Sequence, residues 1–198
     1  NGLHDDDHYV TARDMAKISK AALENETFRY VACKPNYYIA PTNKDKHGKE
    51  LWNHHKMVKR TMFNYDGVEG GKTGYTTKAG GTLVTFAKRG DQELIVVDLC
   101  AHGYELYEDT IKMLNYGFNN YKTIAPFKTM NTVLKDDTYG FLKTGNELSP
   151  YKIPLKHLND VTVMLEKNQS ASKLTYKCKD NKYIISYDGK QIGSVKLH

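Results

Sequence analysis

Six apolar residues, Tyr104, Tyr107, Ile111, Leu114, Phe118 and Tyr121, recur at spacings of 3, 4, 3, 4 and 3. That repeat places side chains on one face of a long helix. A helix with a single apolar face needs a surface to cover, and the residues just before it supply one. Thr82 to Lys88 and Glu93 to Cys100 are strand-like runs joined by Arg89-Gly90-Asp91-Gln92, a connection of hairpin type. The segment therefore predicts two antiparallel strands with the helix packed on their sheet.

Immediately upstream, Gly67 to Gly81 is a glycine- and threonine-rich run containing Lys72-Thr73-Gly74 and ending in the apolar strand Leu83 to Ala87. A lysine framed by glycines and hydroxyl residues on extended backbone suits recognition of an anionic group. The ammonium supplies charge, and the missing side chains let a ligand approach the main chain.

Further toward the start, Thr11 and Asp14 form a capping-box-like signal for a helix at about 12 to 24, with Ala12, Met15, Ala16 and Leu23 near one face. From Phe28 to Met62 the pattern is mixed, with an extended-looking Asn36 to Ala40 and a turn-rich Asn43 to Lys49. Pro126 marks a change of texture. From Thr129 onward short alternating runs are separated by turn residues; Val161 to Leu165 reads as a strand, and Tyr183 to Leu197 as a hairpin turning at Asp188-Gly189. The expected organisation is an α+β domain over 1–123 followed by a β-rich domain over 124–198.

The chain has 198 residues, enough for two modest cores. Its 29 Lys+Arg against 23 Asp+Glu leave a net charge of +6 with scattered charges, which suits work beside an anionic polymer or surface. No arginine-rich block or nucleic-acid fold signature is present, so nucleic acid is not expected as a partner. The strongly apolar runs, such as Leu94 to Val97, are far shorter than the roughly 20 residues that span a bilayer. The start at Asn1-Gly2-Leu3 reads like the middle of a longer polypeptide. Cys33, Cys100 and Cys178 are odd in number, widely separated and in no zinc-ligand spacing, so buried free thiols are expected.

Other constellations carry less. Gly71-Lys72-Thr73 invites a P-loop reading with Asp98 as a magnesium ligand, but Asp66 stands where a P-loop needs glycine, and Gly74, Gly80 and Gly81 oppose the helix that must follow. His4-Asp5-Asp6-Asp7-His8 has metal donors, yet adjacent residues rarely converge on one ion, and a solvated loop before a helix is expected. His54 and His55 are expected to serve packing or the surface rather than catalysis. Ser149 to Lys152 and Ser170 to Lys173 match S-x-x-K, in which an amine could activate a serine, but the first contains Pro150 and the second lies in a polar loop. Neither metal nor cofactor is expected.

Two stretches together resemble the later part of a serine-type D-alanyl-D-alanine carboxypeptidase, a low-molecular-mass penicillin-binding protein. Asn1-Gly2-Leu3 through Tyr9 to Ala16 is similar to the segment after that family's S-x-N motif, and Asp66 to Thr76, continued by Lys78-Ala79-Gly80, is similar to its K-T-G strand. The resemblance implies a partial transpeptidase-like domain, an antiparallel sheet with flanking helices, followed by a small β-rich domain. It further implies that Lys72 supplies positive charge near a catalytic serine. Thr73 and Thr76 would hydrogen-bond the substrate carboxylate, Gly74 would clear space beside the acyl group, and the Tyr75 amide would be one oxyanion donor.

The implied substrate is the peptidoglycan pentapeptide ending in D-Ala-D-Ala, with β-lactams as mimics, on the outer face of the cytoplasmic membrane or in secreted form. The family's S-x-x-K and S-x-N motifs precede K-T-G, and no S-x-N triplet occurs in this sequence. The chain alone is therefore expected to be inactive, with an N-terminal fragment of the same protein as its partner and membrane contact only through a segment not among these residues. A non-catalytic wall-binding or scaffold protein is the alternative, and a β-lactamase is disfavoured by the appended β-rich residues.

Overall fold

The computed structural model describes residues 2–58, 62–128, 132–134, 139–144, 147–148, 153–154, 161–180 and 182–196. Two units partition the chain, Asn1–Phe118 and Asn119–His198. Helices with antiparallel sheet in the first unit, and antiparallel strands among the described residues of the second, give the α+β class expected from the sequence.

In the first unit, helix α1 (Ala12–Leu23) starts where Thr11 accepts a 3.1 Å hydrogen bond from the Asp14 amide and donates at 2.7 Å to the Asp14 carboxylate. The first of these bonds satisfies one of the amide groups that the first helical turn leaves unpaired, and the second holds the Thr11 hydroxyl in place. A second helix, α2 (Glu26–Ala32), is capped by Asn25, whose side chain accepts from the Phe28 amide at 2.9 Å. The mixed reading of this region missed it. At seven residues, with Phe28, Tyr30 and Val31 as weak helix formers, it carries too little periodicity to read. Strands β1 (Asn36–Ile39) and β2 (Lys49–Trp52) pair antiparallel around the turn-rich segment.

The central sheet has strand order β3-β4-β5: β3 (Val68–Thr76), β4 (Gly80–Arg89) and β5 (Gln92–Ala101). Leu83, Thr85 and Ala87 of β4 are buried on one face, where Met57, Phe63 and helix α3 (Glu105–Asn120) complete a core through Leu106, Leu114 and Phe118. Thus the 3-4 repeat does place the helix on the hairpin, but Tyr104 precedes α3 and is exposed, and Tyr121 begins the strand that follows it. Val84 and Phe86 alternate to the other face, where the Phe86 ring meets Phe28 of α2 with centroids 6.4 Å apart.

Buried thiols were the expectation, and the described cysteines differ from it. Cys33 is half-buried and Cys100 is exposed. Cys100 falls at the register shift where Gly81 pairs with Ala101 and Thr82 with Leu99, so it is the unpaired residue of a bulge, at φ 63°. The side chain of Cys178 lies outside the described residues.

In the second unit, β6 (Tyr121–Ile124) pairs with β11 (Val163–Glu166). Four short strands, β7 (Thr132–Leu134), β8 (Tyr139–Thr144), β9 (Glu147–Leu148) and β10 (Ile153–Pro154), pair around β8. A three-stranded meander follows: β12 (Leu174–Lys179), β13 (Lys182–Tyr187) and β14 (Lys190–Lys196). Its β13-β14 turn is Asp188-Gly189 at φ 50° and 79°, the positive pair that a two-residue hairpin prefers. Phe127, Val163, Leu165, Leu174, Tyr183 and Ile185 form this unit's core.

Candidate functional site

Strand β3 is fixed at its start and open at its end. Arg29 of α2 donates to Glu69 at 2.8 Å and approaches Glu93 of β5 at 3.3 Å, tying the helix to both outer strands of the sheet. Arg89 donates to the Asp66 carbonyl at 3.1 and 2.9 Å while its guanidinium lies 4.6 Å from the Tyr65 ring centre and 4.5 Å from that of Phe118. Planar, weakly hydrated guanidinium can bond and stack at once.

Two glycines then let the strand be gripped from both sides. A methyl group at Gly70 would meet the Ala32 carbonyl at 2.7 Å and Cys33 at 2.8 Å; one at Gly71 would strike the Val84 carbonyl and the His55 ring, the latter at 2.7 Å. His55 itself is fully buried. Its Nε2 lies 2.9 Å from Thr85 Oγ1, its ring stands edge-on to Tyr107 with centroids 5.9 Å apart, and its Nδ1 has no hydrogen-bond partner. This suits a neutral ring with its proton on Nε2. Burial holds its pKa down at about 4. His55 thus packs as expected, and its contact with the glycine before Lys72 is what sequence reasoning could not see.

From Lys72 on, the strand opens. Lys72, Gly74 and Tyr75 are exposed, Thr73 and Thr76 half-buried. Pleating puts Lys72, Gly74 and Thr76 on one face and Gly71, Thr73 and Tyr75 on the other. β4 is the strand hydrogen-bonded to β3, and among the described residues no strand pairs with its other edge. By the alternation of an antiparallel ladder, half of its peptide groups therefore point away from the sheet.

The five expected site residues share this one segment. Lys72 Nζ donates to the Thr73 carbonyl at 2.5 Å. Thr76 Oγ1 accepts from the Ala79 amide at 3.1 Å, which leaves its hydroxyl proton available to a ligand. Beyond the strand, Lys78 pairs with Asp6, and Asp6 also accepts from His4 at 3.0 Å. The Lys78 bond, then His4, holds the Asp6 carboxyl below its usual pKa. The acidic run near the start thus closes on the loop after β3.

On the Thr73 and Tyr75 side lies a groove of about 380 Å³. Lys56, Thr82, His102, Tyr104 and Tyr107 line it with β3, and the Lys56 ammonium sits 4.1 Å from the centre of the Tyr104 ring. Sequence reasoning did not single out Lys56 and gave Tyr104 only a place on the apolar helix face; the two are distant in sequence, and only the packing of α3 against the 53–58 segment brings them together.

Rival constellations do not assemble. β3 runs as a strand through Thr76 and turns into β4, with no helix after Thr73 to cradle phosphate. Asp98 lies half-buried in β5, two strands from β3 in sheet order; burial, then Asp109, raises its pKa. Ser170 caps a 3-10 turn (Ala171–Lys173) and pairs with Ser172 at 2.8 Å, while Lys173 reaches Asp188 at 3.3 Å instead of a serine. Ser149 to Lys152 lies outside the described residues.

The family model for D-alanyl-D-alanine carboxypeptidase matches residues 1–103. D-alanyl-D-alanine carboxypeptidase DacF of Bacillus subtilis is 29% identical over 202 residues, covering 99% of this chain and 48% of the relative. Penicillin binding protein 5 of Haemophilus influenzae shares the fold across 100% of this chain and 57% of its own, with a TM-score of 0.64 at 23% identity. A Streptomyces DD-transpeptidase matches with a TM-score of 0.53 at 30% identity, over 60% of this chain and 45% of its own. The chain spans about half the length of the relatives it matches.

Proposed function

The chain belongs to the D-alanyl-D-alanine carboxypeptidase family, and from that premise we propose that residues 72–76 form the recognition strand of an acyl-transfer cleft whose reacting serine lies outside these 198 residues. The protein as a whole would remove the terminal D-Ala of peptidoglycan stem peptides. A serine hydroxyl adds to the penultimate carbonyl, the tetrahedral oxyanion collapses with loss of D-Ala, and water hydrolyses the ester. A β-lactam would acylate the same serine.

The observation that carries this reading is the free edge of β3 beside Lys72, Thr73 and Tyr75. An extended peptide can lie along such an edge and pair with its outward peptide groups. In that pose the Lys72 ammonium supplies positive charge beside the serine. The Thr73 hydroxyl donates to the substrate's terminal carboxylate, and Thr76, on the opposite face of the strand, offers its hydroxyl further along the peptide. Gly74 leaves room for the acyl group, and packing also requires glycine there, since a methyl would lie 2.5 Å from Thr82 Oγ1. The Tyr75 N–H points one dipole at the position where negative charge develops, an effect that grows when water is excluded.

The family works on the cell wall outside the cytoplasm, and the same location, in secreted form or at the outer membrane face, is proposed here. Among the described residues no helix is long and apolar enough to cross a membrane. In the whole protein, Lys72→Ala is expected to slow acylation by penicillin by about 100-fold or more, while Thr73→Val weakens peptide turnover more than penicillin acylation. An unchanged acylation rate in Lys72→Ala would refute the assignment.

A further inference from the structure

Charge in this chain is not scattered once the two units are separated. Residues 1–118 hold sixteen Lys+Arg and sixteen Asp+Glu; residues 119–198 hold thirteen Lys, no Arg and seven Asp+Glu. The whole net charge of +6 therefore belongs to the second unit.

The β12-β13-β14 meander concentrates part of it on one surface. Leu174 and Tyr176 of β12 and Tyr183 and Ile185 of β13 face the core. Alternation sends Thr175, Lys177, Lys179, Lys182, Ile184 and Ser186 to the opposite face, where the three lysines are exposed. Lys179 stands directly across from Lys182 in register. Like charges opposite one another on a sheet, with Cβ atoms roughly 5 Å apart, oppose folding. Among the described residues, no carboxylate pairs with Lys177, Lys179 or Lys182, although Asp180 lies in the turn between the strands and Lys173 elsewhere in the unit has Asp188.

We infer that this sheet face is a docking surface for a flexible phosphodiester polymer. Unrelieved positive charge in a row across β12 and β13 is complementary to a chain of phosphates, and lysine binds phosphate as a point charge without demanding one fixed geometry. The outward side chains do not fit the other polyanionic surfaces. They include no aromatic ring on which bases could stack, and Thr175, Ser186 and half-buried Ile184 offer no large apolar group to enter a bilayer. The inference is independent of the peptidase site, since it uses none of residues 72–76.

Binding of poly(glycerol phosphate) to the full chain, measured by calorimetry across a salt series, tests it. Three phosphate contacts give a slope of log K against log salt of about −2 to −3. The triple variant K177Q/K179Q/K182Q is expected to lose at least about tenfold in affinity at low salt and most of that slope. Because it removes a like-charge row, its unfolding temperature should hold or rise by about 1–3 °C. Lys112→Gln, on α3 of the first unit, should bind like the parent. Undiminished binding by the triple variant, no binding by the parent, binding to phosphatidylglycerol vesicles without binding to the polymer, or a fall in unfolding temperature that accompanies the lost affinity would each overturn the proposal.

Discussion

His55 shows how much a single residue in this chain depends on what surrounds it. In sequence it is one of two adjacent histidines in a polar stretch; in the fold it is sealed between Thr85, Tyr107 and the backbone of Gly71. Its pKa of about 4 lies below the roughly 6.5 of an unfolded histidine. Between those values the unfolded chain binds a proton that the native chain refuses. Stability is therefore full above pH 6.5 and falls as pH drops, by about 3 kcal/mol once pH is below 4. His55→Gln removes the titration while keeping a donor for Thr85. The stability difference between parent and variant, from denaturant titrations, is expected to shift against the parent by about that amount from pH 7 to pH 4; a difference constant with pH would contradict the buried neutral ring.

At the scale of elements, β3 combines a clamped half with an open half. Gly70→Ala and Gly71→Ala each insert a methyl into backbone rather than into a yielding side chain, so each is expected to cost about 1–3 kcal/mol or more. Gly71→Ala should cost more, because the Val84 carbonyl and the buried imidazole both block it. Urea midpoints would rank the two, and a neutral Gly71→Ala would show that the strand is not held as described. At α1, Thr11→Ala removes both capping bonds and should cost about 1 kcal/mol. Elements with long periodicity were legible in the sequence: α1, the β4-β5 hairpin, α3 and the Asp-Gly hairpin. Helix α2 was not, since seven residues with two β-branched and two aromatic side chains carry too little periodicity to read. Lys72 to Thr76 could be recognised because their chemistry is contiguous in the chain. The placement of Lys56, Tyr104 and His55 beside that strand could not, because no local pattern records which loop a strand packs against.

For the whole molecule, two units of different charge accompany a family assignment that covers residues 1–103. The first unit supplies a sheet whose β3 edge, bearing lysine and hydroxyl groups, is paired by no strand among the described residues; the second supplies the net positive charge. Since the chain spans about half the length of its relatives, the central claim is that its K-T-G strand serves a serine located elsewhere in the protein. Peptide mapping of the whole protein after labelling with penicillin tests that claim most directly. The expected result is a single penicilloyl ester on a serine outside these 198 residues, with labelling suppressed in Lys72→Ala. A penicilloyl ester on Ser19, Ser149, Ser170, Ser172, Ser186 or Ser194, the serines of this chain, would contradict it.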